Sequence, residues 1–172
     1  MRSTTLALAF AALLALPAAA LADDIADCNS DQPDTVIKGC TQLIKAGNAN
    51  NDALAIAFFN RGNAFDDNGD HDGAIADYTQ SIKLKADDPN VFLNRGLSYM
   101  AKQDFDSALA DFNQAVQLKP KFPRAIYNQG RAYEGKGDLK QALATYERAA
   151  ALAPNNQNVA KKVTELKQKL GQ

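Results

Sequence analysis

Apolar residues recur along this chain at three- and four-residue steps, the period of a helix, and not at the alternate positions of a half-buried strand. In residues 89–122, PNVFLNRGLSYMAKQ and FDSALADFNQAVQLK each carry that pattern, which predicts two helices, with Asp104 capping the second and Pro120 closing it. Pro89 and Pro123 stand where a helix opens, a place where the missing N–H costs nothing. Val159, Val163, Leu166 and Leu170 make one stripe at spacings of 4, 3 and 4, while Lys161, Lys162, Glu165, Lys167 and Lys169 take the other positions. One docked face and one solvated face are predicted there. Nearer the start, Val36, Ile37, Cys40, Leu43 and Ile44 keep helical spacing and predict a helix that packs on the segment after it.

The first 22 residues read differently. Arg2 precedes an apolar run from Leu6 to Leu16, followed by Pro17 and the small-residue stretch ending Ala20, Leu21, Ala22. That run is shorter than the roughly 20 residues a membrane-spanning helix needs. It fits a secretory leader (1–22) cleaved after Ala22, with an uncleaved anchor as the alternative. A mature chain starting at Asp23 is expected to have no stable membrane anchor.

A longer period overlies the helical one. Gly62, Gly96 and Gly130 are spaced by 34, as are Ala74, Ala108, Ala142 and Asp70, Asp104, Asp138. Phe65, Tyr99, Tyr133, then Tyr78, Phe112, Tyr146, and Asn60, Asn94, Asn128 hold the same register. Three units follow, 55–88, 89–122 and 123–156, each of two helices, with small residues such as Gly96 and Ala108 where the pair approaches. One such unit cannot bury its apolar face alone, so the units must stack. The expected fold is all-α, a right-handed helix-turn-helix solenoid with a concave and a convex surface. Residues 23–54 add a helical segment at one end and 157–172 a capping helix at the other.

These residues carry a resemblance. Phe92, Gly96, Tyr99, Ala108, Phe112 and Pro120 match the pattern of the tetratricopeptide repeat, and FNRGNAF and LNRGLSY resemble its exported bacterial members. Ile126 in place of the opening aromatic and Ala86 in place of the terminal Pro depart from it. The resemblance implies an inner surface lined by first helices, here Phe59, Asn63 and Asp66, then Leu93, Leu97 and Met100, then Arg124, Tyr127, Arg131 and Glu134. Members that grip a terminal carboxylate use Lys, Asn, Asn, Lys, Arg at five positions held here by Phe59, Asn63, Asn94, Arg124 and Asn128. Both Asn and one cation survive. Asn60, Asn94 and Asn128 recur in every unit, so hydrogen bonding between units is the competing role for that column.

Charge narrows the partners. The 172 residues hold 19 Lys plus Arg and 20 Asp plus Glu, too balanced to attract nucleic acid through its phosphates. Cys28 and Cys40 are the only cysteines, and counting back 34 places them in the Gly62 and Ala74 columns, which meet within a unit. Export to an oxidising compartment then predicts a disulfide, with two free thiols as the alternative. The expected location is the periplasm, with secretion as the alternative.

Catalytic chemistry finds little support. His71, the only histidine, sits in a turn between Asp70 and Asp72 with no Ser or Cys beside it. Two cysteines and one distant histidine do not make a zinc site. NGDHDG (68–73) matches the opening of a calcium loop, but its twelfth position is Thr79 instead of Glu, and a turn with an N-cap is the preferred reading. No catalytic, cofactor-binding or metal residues and no small-molecule substrate are assigned. The expected function is an exported adaptor that binds a protein or peptide in its concave groove. The alternatives are a scaffold subunit of an envelope complex using its convex face or ends and, with least support, an enzyme.

Overall fold

The computed structural model describes residues 18–171; most of the expected leader lies outside that range. Among the described residues nine helices follow one another: α1 (Ala18–Cys28), α2 (Pro33–Ala46), α3 (Asn51–Asp67), α4 (His71–Leu84), α5 (Pro89–Ala101), α6 (Phe105–Leu118), α7 (Pro123–Gly135), α8 (Leu139–Leu152) and α9 (Gln157–Leu170). Each packs on the next, and α1 also touches α3, α3 touches α5 and α5 touches α7. These odd-numbered helices therefore form the inner layer. Among the described residues no helix is long and apolar enough to cross a membrane.

The repeat columns show what each position does. Asp70, Asp104 and Asp138 accept from the backbone N–H groups of Gly73, Ser107 and Gln141, capping α4, α6 and α8. The helix starting at His71 occupies the positions where a calcium loop would continue. Glycine in the first helix makes room for the aromatic ring of the second rather than for the alanine. A Cβ on Gly96 would stand 2.6 Å from Phe112, and one on Gly130 2.6 Å from Tyr146. Fully buried Tyr78, Phe112 and Tyr146 thus reach the inner helices' backbone.

Arginine clamps accompany this packing. Arg61 binds Asp77 through two nitrogens at 2.6 and 2.8 Å, and Arg95 holds Asp111 at 2.8 and 2.7 Å. Their remaining nitrogens reach back to Thr41 and Thr79 of the preceding unit. In the third unit Gln129 replaces the arginine and donates to Asn113 across the seam at 2.7 Å.

The amino-terminal segment contains two helices where the pattern predicted one. Its register also differs: α2 begins 38 residues before α4 (33 against 71), whereas α4, α6 and α8 begin at 34-residue intervals. The difference is one extra turn at the front of α3, which starts at Asn51 with the Asn50 side chain capping Ala53. Cys40 therefore falls in the column of Tyr78, not of Ala74. Cys28 and Cys40 are nonetheless at bonding distance, with Sγ atoms 1.99 Å apart and both residues buried. Gly39 permits the approach, since a Cβ there would meet Asp27 and the Cys28 backbone.

At the other end Val159 and Leu166 of α9 are buried, the latter in one cluster with Leu143 and Tyr146.

Candidate functional site

The inner helices bring part of the expected groove together. Asn63 and Asp66 on α3, Asn94 and Leu97 on α5 and Arg124 on α7 line one open cleft of about 440 Å³ with Asp67 and Tyr78. Asn63 Oδ1 accepts from the Tyr78 hydroxyl and from Asn94 Nδ2, both at 2.8 Å. That pair of bonds fixes the Asn63 amide in one orientation. Phe59 is half-buried and tilts against Tyr78, with ring centroids 6.0 Å apart. Met100 is half-buried against the central core.

Leu93 is the correction. It is fully buried, in one cluster with Phe92, Phe122 and Ala125, so it lines no groove. The α6–α7 linker ends in Phe122, a large apolar residue where the other linkers end in Asp88 and Asn156, and its burial accompanies that of Leu93.

The asparagine column divides. Asn60 donates to the Cys28 carbonyl and to Asn29, and Asn94 to Asn63, so both bridge units. Leu97 stands where the next acceptor would be, and Asn128 instead donates to the Arg124 carbonyl of its own helix.

Two carboxylates expected in the groove are occupied from within. Asp66 Oδ2 accepts from Ser98 at 2.7 Å and lies 3.1 Å from the Tyr78 hydroxyl, whose one hydrogen it shares with Asn63, while Oδ1 lies 2.9 Å from His71 Nδ1. It stands between His71 and Ser98, joining α3, α4 and α5. Glu134 accepts from Tyr146 at 2.9 Å and from Lys162 of α9 at 3.1 Å. Burial first, then the facing carboxylates, push the Tyr78 and Tyr146 hydroxyls far above the ordinary tyrosine value. The hydrogen bond to Glu134 holds the Lys162 ammonium above its usual range.

The arginines remain outward. Among the described residues exposed Arg124 forms no ion pair, and the one hydrogen bond from the exposed Arg131 side chain goes to Asn128 Oδ1 at 3.1 Å. Arg124 also borders a second cleft of about 380 Å³, with Phe122, Tyr127 and Val159. Tyr127 tilts against Tyr146 at 5.3 Å. Among the described residues no group of three or more His, Cys, Asp or Glu is gathered to hold a metal.

Sequence reasoning missed two features. The Arg61–Asp77 and Arg95–Asp111 clamps were signalled by residues recurring at 34 with a constant separation of 16. Phe122 carried a signal too, as the apolar residue at the position where Asp88 and Asn156 cap the helices of the neighbouring units.

Comparison with known proteins agrees with this geometry. A tetratricopeptide repeat model matches residues 93–157 and a TPR repeat model residues 62–103. No curated protein matches the chain. Among solved structures, the first TPR of Spaghetti (RPAP3) bound to HSP90 peptide SRMEEVD is 29% identical with a TM-score of 0.65, over 69% of this chain and 96% of that one. The second TPR domain of human RPAP3 in complex with HSP70 peptide SGPTIEEVD is 28% identical with a TM-score of 0.63, over 66% and 94%. MamA, at 16% identity and a TM-score of 0.78 over 89% and 81%, shares the fold.

Proposed function

The chain belongs to the tetratricopeptide-repeat proteins, and from that premise we propose that it is a non-enzymatic adaptor holding an extended partner segment along its inner face. The observation that carries this reading is the balance of charge on that face. Asp66 and Glu134 are satisfied by Tyr78, Ser98, Tyr146 and Lys162, while Arg124 and Arg131 stay exposed. A guanidinium offers a fork of donors suited to a carboxylate, so the α7 end of the inner face favours an acidic group, while exposed Asp67 keeps the α3 end of the same cleft acidic. The two RPAP3 domains hold peptides ending EEVD, which supports the same chemistry. Phe59 and Asn128 stand where carboxylate-gripping members carry Lys and Arg, so Arg131 takes over part of that work, with Asn63 and Arg124.

Export belongs to the same proposal. Cleavage after Ala22 falls within α1 and leaves a helix opening on Asp23 and Asp24, a favourable sign at the positive end of the helix dipole. The Cys28–Cys40 bond then forms in an oxidising compartment. Mass analysis of the mature protein is expected to show a chain starting at Asp23 and two fewer hydrogens than the dithiol.

The deciding experiment is photocross-linking in producing cells from a reactive residue at position 97, with position 167 on the cap as control. A discrete protein captured from 97 and lost in an R124E/R131E variant supports the groove. Capture from 167 alone overturns it and leaves the ends as the interaction surface.

A further inference from the structure

Two clefts on the inner edge are the same place in different repeats. The first is lined by Ala55, Ile56, Phe59, Asp88 and Val91, and the second by Pro123, Arg124, Tyr127, Asn156 and Val159. Each residue of the second stands 68 positions, two repeats, after its counterpart in the first. The first holds about 200 Å³ and the second about 380 Å³. Ile56, 55% exposed, gives the first cleft an apolar rim.

The middle repeat shows what such a cleft accepts. Its corresponding residues are Pro89, Asn90, Leu93, Phe122 and Ala125, and here Leu93, Phe122 and Ala125 are buried in one cluster. Asp88 and Asn156 cap the helices that follow them, but Phe122 makes no side-chain cap bond to α7. The linker gives up a cap in this unit and fills the site with an aromatic ring. The protein's own phenylalanine occupies the middle site, and the two flanking sites stay open.

We infer that the two open clefts are side-chain pockets of the groove, each receiving one large apolar side chain of an extended peptide that carries a carboxylate near the α7 end. The polarity follows from the rims. At the first pocket Lys85 is paired with Asp52 at 3.2 Å, whereas at the second Arg124 has no ion-pair partner among the described residues. This inference rests on the groove reading above and specifies its ligand as apolar at two points and acidic at one.

The test transplants the plug. Peptides are selected on the parent protein from a phage-displayed library of random dodecamers. The most enriched sequence is synthesised with a fluorescein label for anisotropy titration. It is expected to contain two large apolar residues and an acidic residue beside one of them. Asp88→Phe and Asn156→Phe imitate Phe122 and are each expected to weaken binding about tenfold, the order set by burying one such side chain. Replacing the matching apolar residue of the peptide by alanine should weaken binding to the parent and add nothing in the plugged variant. That peptide-side measurement stands even if a plug disturbs folding, which thermal melts report.

Full-affinity binding to both folded plug variants, with loss only in R124E/R131E, overturns the pockets and leaves the groove reading intact. Enriched peptides indifferent to all of these changes, or a library that enriches none, overturn both.

Discussion

Tyr146 donates its hydroxyl to Glu134 at 2.9 Å, joining the second helix of the third repeat to the first. The same columns hold Tyr78 with Asp66 in the first repeat and Phe112 with Met100 in the second. A phenol is matched by a carboxylate and a phenyl ring by a thioether, so each unit closes its inner seam with a pair of one kind. Both phenols stay protonated in the fold, pushed up by burial and by their carboxylates. In the unfolded chain they ionise near pH 10. Stability is therefore complete below about pH 10 and declines above it, as only the unfolded chain releases those protons. Urea unfolding from pH 7 to 11 should show that decline, and a Y78F/Y146F double variant should show a shallower one.

Gly96 has no room for a methyl group, because Phe112 fills the space a Cβ would take. Gly96→Ala should cost about 2 kcal/mol by overpacking. Adding Phe112→Leu should recover part of that loss in thermal melts, which separates a steric cause from a change in helix propensity.

Asp111 is buried against Arg95 with two short hydrogen bonds. Asp111→Ala strands a guanidinium that is only 17% exposed and should destabilise by about 3 kcal/mol. Gln129→Ala, which removes the uncharged counterpart, should cost about 1 kcal/mol. Chemical unfolding of the two variants side by side checks the ordering.

Gln103 adopts φ 61° at the turn where the neighbouring units use Gly69 and Gly137, with φ of 80° and 81°. A side chain pays strain in that left-handed region that glycine does not. Gln103→Gly should therefore stabilise by about 1 kcal/mol despite its greater freedom in the unfolded chain, and the melting temperature should rise.

Reduction should loosen one end of the stack. The proposed disulfide ties α1 to α2, and the Cys28 carbonyl beside it accepts from Asn60 of α3. A C28S/C40S variant should lose about 3 kcal/mol on the chain-entropy view. Hydrogen exchange should localise the new opening to α1 and α2.

The 34-residue period dictates the solenoid. Gly96, Tyr99, Ala108 and Phe112 have counterparts 34 residues away in both directions because every unit packs on the next through the same contacts, and a repeated environment demands repeated residues. The caps at Asp70, Asp104 and Asp138 were legible for a similar reason, since a cap depends on a few neighbouring residues alone. Asn63, Asn94, Leu97 and Arg124 could be assigned to one face by register, and they do line one cleft.

Packing between helices sets what register cannot express. Leu93 lies in the right column for the groove, but Phe122, far along the chain, shares its cluster and the site is buried. Glu134 lies on the inner face by register, but Tyr146 and Lys162 reach it from α8 and α9 and occupy its carboxylate. The amino-terminal pair shifted by a turn because α3 extended back to Asn51, leaving Cys40 opposite Cys28 from a column that simple counting does not assign to it. Periodicity records what is the same in each repeat; which side chains remain open to a ligand depends on exceptions to it, and these act through contacts between residues distant in sequence.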